Sequence, residues 1–251
     1  MLNKLLGLAL RQLPAALLGL GLTTTAAAQD LGAGYYSQAM TGLITNQLNI
    51  TQVGVNRNLS KGVRAARPAG KAAPALADDP RLRFQSTVAR RRADYASFVA
   101  KSRRADPAGA TSLAATLRQD PVAALVPELA KTGLRIDNVA DAYAVYWVEA
   151  WETTHGTTGT TSRAQAQAVR AQAAAALLAT PSYLSSTEAQ RQQLADALLV
   201  QALLIGASRE QNKDNSAMLR QVAAAVRQGA QASGLDLDGM QLTGQGFVAK
   251  P

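Results

Sequence analysis

Between residues 138 and 152, apolar and charged positions separate on a helical period. Wound at roughly 100° per residue, Asn138, Asp141, Glu149 and Glu152 fall on one narrow strip, interrupted by Val145. The opposite arc carries Tyr143, Tyr146, Trp147, Val148 and Trp151 among small residues, and it holds both tryptophans of the chain. An apolar arc of roughly 200° implies neighbours on more than one side. The stretch is therefore expected to be the central helix of a helical domain, with its aromatic face packed and its acidic strip solvated. Asp137 or Asn138 can cap its start, and Asp141 sits in the first turn, where the helix dipole favours an anion.

The same period, with proline and glycine as stops, predicts the other elements. Asp78-Asp79-Pro80 opens a helix with Phe84, Val88, Tyr95, Phe98 and Val99 in register, running to about Ser102. Asp106-Pro107 starts a second helix bearing Leu113 and Leu117. Asp120-Pro121 starts a third, with Val122, Leu125 and Leu129, kinked or broken at Pro127 and ending near Gly133. After the central helix comes a Thr/Gly loop, 153–161. Ser162 and Gln165 form a capping box for a helix with Val169, Ala173 and Leu177, stopped by Pro181. Ser185 and Glu188 suggest a second box, opening the most apolar helix, from Leu194 to Ile205. Asp214 or Asn215 caps a last helix with Met218, Val222 and Val226 in register, ended by Gly234. Residues 235–248 alternate too briefly to classify, and Leu235, Leu237, Met240 and Phe247 suggest that they pack back on the bundle. The expected fold is all-α: a single domain of about six helices over residues 80–248.

Three segments precede that domain. Residues 1–28 have the layout of a secretory signal, with Lys4 and Arg11 early, an apolar run, and Ala26-Ala27-Ala28 before Gln29. That layout predicts cleavage after Ala28, a periplasmic or secreted location, and no transmembrane anchor in the mature chain. Residues 29–62 are polar and Gly-bearing, and predict a loosely ordered arm with a short helix near 36–48. Residues 63–79, rich in Ala, Arg, Lys and Pro, predict a linker.

Composition narrows the chemistry. The chain has 251 residues, 26 basic against 17 acidic and no cysteine, which excludes disulfides, thiolate catalysis and Cys-based metal or Fe–S sites. Removal of residues 1–28 takes two basic residues and no acidic ones, leaving 24 − 17 = +7. A positive balance permits contact with anionic surfaces without selecting one. No phosphate-loop lysine motif and no Gly-x-Gly-x-x-Gly pattern occurs, so no cofactor is expected.

Phe98-Val-Ala-Lys-Ser-Arg103, Asn138-Val-Ala-Asp-Ala-Tyr143, Tyr146-Trp147 with Ala150-Trp151, and Gly234-Leu-Asp-Leu-Asp-Gly-Met240 with Gly246-Phe-Val248 resemble a family of exported bacterial proteins of unknown function. The resemblance implies export and a helical domain; it transfers no site residue.

Candidate chemistry lies in three places. Asp141, Glu149 and Glu152 offer carboxylates for glycoside chemistry, or for an ion pair with the arginine-rich first helix. His155, the only histidine, follows in the Thr/Gly loop, where a solvated residue near a helix C-terminus is expected. The first helix carries Arg90, Arg91, Arg92, Lys101, Arg103 and Arg104 against Asp94, a charged face for anionic lipid or acidic polymers. Nucleic acid is not expected. The function expected is that of an exported envelope protein, non-enzymatic, binding anionic envelope components or another envelope protein. The alternative is a small hydrolase of cell-wall glycan using Glu149 and Glu152, with His155 nearby.

Overall fold

Val139–His155 winds as the periodicity predicts, and helices cover it on all sides. The computed structural model describes residues 50–65, 74–157 and 160–251. In chain order the α-helices are α1 (Ile50–Ala65), α2 (Val88–Ala105), α3 (Pro107–Leu117), α4 (Pro121–Ala124), α5 (Val126–Thr132) and α6 (Val139–His155). They continue with α7 (Arg163–Leu178), α8 (Pro181–Leu184), α9 (Glu188–Gln211) and α10 (Ser216–Ala232). A hairpin of β1 (Met240–Thr243) and β2 (Gly246–Ala249) follows. The all-α class and single core stand, with more and shorter helices than six. No helix among the described residues is long and apolar enough to cross a membrane. The predicted signal, 1–28, and the short helix near 36–48 lie outside the described residues.

Helix starts follow local chemistry. Asn138 Oδ1 accepts from the Ala140 and Asp141 amides and starts α6, while Gly156 at φ 62° closes it. The Ser162–Gln165 capping box opens α7 as expected. The second box is shifted: Thr187 and Gln190, not Ser185 and Glu188, cap α9. The first helix also starts later than Asp79-Pro80 suggested. That pair makes one 3-10 turn, Pro80–Leu82, after which the chain stays extended so that the Phe84 amide can donate to Asp137 O at 3.2 Å. Thr87 then caps α2. Pro127 splits the predicted third helix into α4 and α5.

Against α6 pack α9, α7 and α10. Trp147, Tyr143 and Tyr146 are almost wholly enclosed, and the Tyr143 and Trp147 rings lie tilted at 4.9 Å. The segment 50–62, expected as a loose arm, is instead most of α1 and part of the core. Val55, Leu59 and Val63 are buried on it, and so are Gln52, Asn56 and Ser60. Asn56 joins three helices: it accepts from Trp147 Nε1 at 2.9 Å and donates to Ser233 Oγ at 2.9 Å. The linker expectation for 63–79 fails at both edges, since α1 runs to Ala65 and a 3-10 helix spans Pro74–Asp78.

The tail packs back as expected, as a hairpin. Met240 pairs with Ala249 and Leu242 with Phe247 in antiparallel register. Trp151 Nε1 donates to Met240 O at 3.0 Å. Gln172 of α7 holds both backbone groups of Phe247, accepting at 2.9 Å and donating at 2.7 Å.

Two substitutions test this core by chemical denaturation. Trp147→Ala should cost about 3–5 kcal/mol, because it empties a large buried volume. Asn56→Ala should cost about 1–3 kcal/mol, because the Trp147 N–H and Ser233 lose a buried partner. A neutral Asn56→Ala would place α1 outside the cooperative unit.

Candidate functional site

The acidic strip of α6 is the first place where structure and expectation part. Asp141 and Glu149 are fully buried and Glu152 is 3% exposed, so the strip is not solvated. Each carboxylate meets arginine from another part of the chain, and none pairs with α2. Arg170 of α7 donates from Nε to Asp141 Oδ1 and from Nη2 to Ala77 O and Asp78 Oδ1, at 2.7 and 2.8 Å. Asp141 Oδ2 accepts from the Arg135 amide at 2.8 Å. Burial pushes the Asp141 carboxyl above its ordinary range, with Arg170 and Arg135 pulling it back.

At the other end of the strip, Arg209 of α9 donates to Glu149 Oε1 at 2.7 Å and to Thr157 O at 2.7 Å, and lies 3.6 Å from Glu152 Oε2. Thr161 Oγ1 donates to Glu152 Oε1 at 2.5 Å. Burial pushes Glu149 up to about 7 in spite of Arg209. His155 packs on its own helix, its ring stacked on Trp151 at 4.4 Å and Nδ1 3.0 Å from Trp151 O. It is half-buried against the aromatic face rather than free in the loop. Glu149 and Glu152 are thus enclosed by the packed helices, and His155 follows them on α6 with its ring on Trp151.

A second cluster lies between α2 and α9, and the sequence reading missed it. Asp94 and Asp196 line the same small pocket, and Asp94 Oδ2 and Asp196 Oδ1 are buried without a hydrogen-bond partner. Asp196 is 1% exposed and accepts from Gln192 Nε2 at 3.2 Å. Burial pushes Asp94 up to about 6 and Asp196 up to about 7. Arg90 and Arg91 act against that rise, and Asp120 adds to it at Asp196. Arg91 itself is held by Asp120 at 2.9 and 3.0 Å, with Tyr95 Oη donating to the same carboxylate at 2.9 Å. These bonds hold Asp120 below its ordinary value although burial works the other way. The signal was in the sequence: Asp196 falls among Leu199, Val200 and Leu203 on the apolar helix, and Arg170 falls among Ala166, Ala173 and Leu177. A charge inside an apolar stripe implies a buried partner.

Most of the basic residues near α2 do stay exposed. Arg83, Arg92, Lys101, Arg103 and Arg104 make no ion pair among the described residues. A third feature is an open cleft between α1 and the start of α9, lined by Arg57, Lys61, Ser182, Ser185 and Gln190 among others. Among the described residues, no group of three or more His, Asp or Glu side chains is placed to hold a metal ion.

Residues 10–250 match a family described as "Family of unknown function (DUF6683)". The chain belongs to that family. No curated protein and no solved structure matches it. The family spans the whole bundle and the hairpin, so the paired carboxylates and the cleft both lie within it.

The raised carboxyls set a sign for pH dependence. A carboxyl whose folded pKa is raised binds its proton more tightly folded than unfolded, so its stabilisation is present below the unfolded pKa and lost as pH rises through the folded value. For Asp94 and Asp196 the window runs from 3.8 to about 6 and about 7, and for Glu149 from 4.5 to about 7. The melting temperature should therefore fall between about pH 4 and about pH 7. Asp196→Asn, which removes one of the titrating carboxyls, should flatten that fall. A melting temperature that rises across the same interval would contradict the assignment.

Proposed function

We propose that this chain is exported to the cell envelope, where its helical domain binds or scaffolds an anionic envelope component without chemistry. The observation that carries the reading is how charge is sorted. The three acids of α6 are drawn into the core, where Arg135, Arg170 and Arg209 neutralise them, and Arg83, Arg92, Lys101, Arg103 and Arg104 are left outward without an ion pair among the described residues. A net charge of +7 on the mature chain then acts mostly at the surface, where it attracts anionic headgroups and acidic polymers. The charged start and Ala-Ala-Ala exit of residues 1–28 support export. Burial of Glu149 and Glu152 in ion pairs supports binding over glycan hydrolysis.

The test uses the mature protein from its native host. Mass spectrometry should find the N-terminus within a few residues of Gln29, and the protein should sediment with envelope fragments at low salt and be released as salt rises. Arg92→Gln combined with Arg103→Gln should weaken that sedimentation. An intact Met1 in the cytosol would overturn export. Release of glycan fragments that a folded Glu149→Gln variant cannot perform would overturn the non-enzymatic reading in favour of hydrolysis.

A further inference from the structure

The cleft between α1 and α8–α9 has a volume of about 1270 Å³. That exceeds the roughly 300–1,000 Å³ of an ordinary small-molecule pocket and suits a chain of several linked units. Its lining carries one sign of charge: Arg57 and Lys61 on α1, with Ser182, Ser185 and Gln190 opposite, and no Asp or Glu among the described residues. Arg57 and Lys61 are exposed and make no ion pair among the described residues. They stand one helical turn apart, about 6 Å along the axis.

The walls are fixed. Asn58 Nδ2 donates to Thr180 Oγ1 at 2.9 Å and to Ala179 O at 3.2 Å, tying α1 to the end of α7. A Cβ on Gly54 would meet Thr180 Cγ2 at 3.1 Å, so α1 lies close against that corner. The stem of Arg57 rests on Gly234, where an added Cβ would stand 2.7 Å from Arg57 Cγ.

We propose that this cleft binds an acidic oligosaccharide, a hydroxyl-rich chain with anionic groups on successive units. Arg57 and Lys61 pair with two of those groups, and Ser182, Ser185 and Gln190 exchange hydrogen bonds with the hydroxyls. The proposal rests on the envelope-binding reading above and adds to the α2 cations a separate site with one ligand class.

Isothermal titration of the mature chain tests it with three probes: a hexamer of uronic acid, a neutral hexasaccharide, and inorganic phosphate. The uronate hexamer should bind, and the neutral hexamer and phosphate should bind at least tenfold more weakly. Arg57→Gln and Lys61→Gln, both at exposed positions, should each weaken uronate binding about tenfold, as expected for one lost charge-assisted contact. Arg92→Gln with Arg103→Gln should leave it unchanged, even where sedimentation with envelope fragments falls. Equal binding of the neutral hexamer, phosphate as tight as the uronate, or indifference to both cleft variants would each overturn the site. Loss of envelope sedimentation by the α2 variants alone would still leave the wider reading standing.

Discussion

Burial of α6 on every face is the constraint from which the rest of the bundle follows. A helix with no solvent side cannot leave Asp141, Glu149 and Glu152 hydrated, and an uncompensated buried carboxylate costs several kcal/mol. Each must therefore meet a donor from outside the helix. Arg135 comes from the turn before α6, Arg170 from α7 and Arg209 from α9. These pairings fix how α7 and α9 are rotated about α6, because a turn of either helix would strand a charge. The same arginines also hold backbone carbonyls at Ala77 and Thr157, so the segments flanking the bundle are tied to the pairs.

The apolar side of α6 is specified by its polar atoms as well. Trp147 and Trp151 supply large buried area, and each N–H needs an acceptor. Trp147 finds Asn56 on α1, and Trp151 finds Met240 O at the start of the hairpin. An indole N–H thus helps to place each of these segments, beside the bonds from Gln172 to the hairpin and from Asn58 of α1 to Thr180. Area alone would let α1 and the hairpin slide; a directed hydrogen bond sets their register.

What the sequence made legible was local. Period and capping chemistry placed α6, α7 and α10, because Asn138, Ser162 and Asn215 act within their own first turn. The solvated strip was misread, because a helical wheel describes one helix and cannot say whether another arrives with an arginine. In α1, Val55, Leu59 and Val63 do follow a helical spacing, but Gln52, Asn56 and Ser60 share the buried side and dilute the apolar signal. The α2 start was misplaced at Asp79-Pro80, because that pair opens only a 3-10 turn and the bridge from Arg83 to Asn138 keeps the chain extended until Thr87 caps the helix. Four-residue strands are too short to show alternation, so the hairpin stayed unclassified. The cleft could not be foreseen, since its walls come from segments more than a hundred residues apart.

With the α6 acids enclosed, the exposed cations in and beside α2 are not offset by them, and the envelope reading descends from that sorting. It depends on the carboxylates of α6 being structural counter-ions. A double-mutant cycle on Glu149 and Arg209, followed by chemical denaturation, measures this directly. Arg209→Leu alone should cost about 3–5 kcal/mol, because Glu149 is left buried and unpaired, and adding Glu149→Leu should recover most of that loss. Two small, additive effects would contradict the account, placing Glu149 in contact with solvent and free for other work.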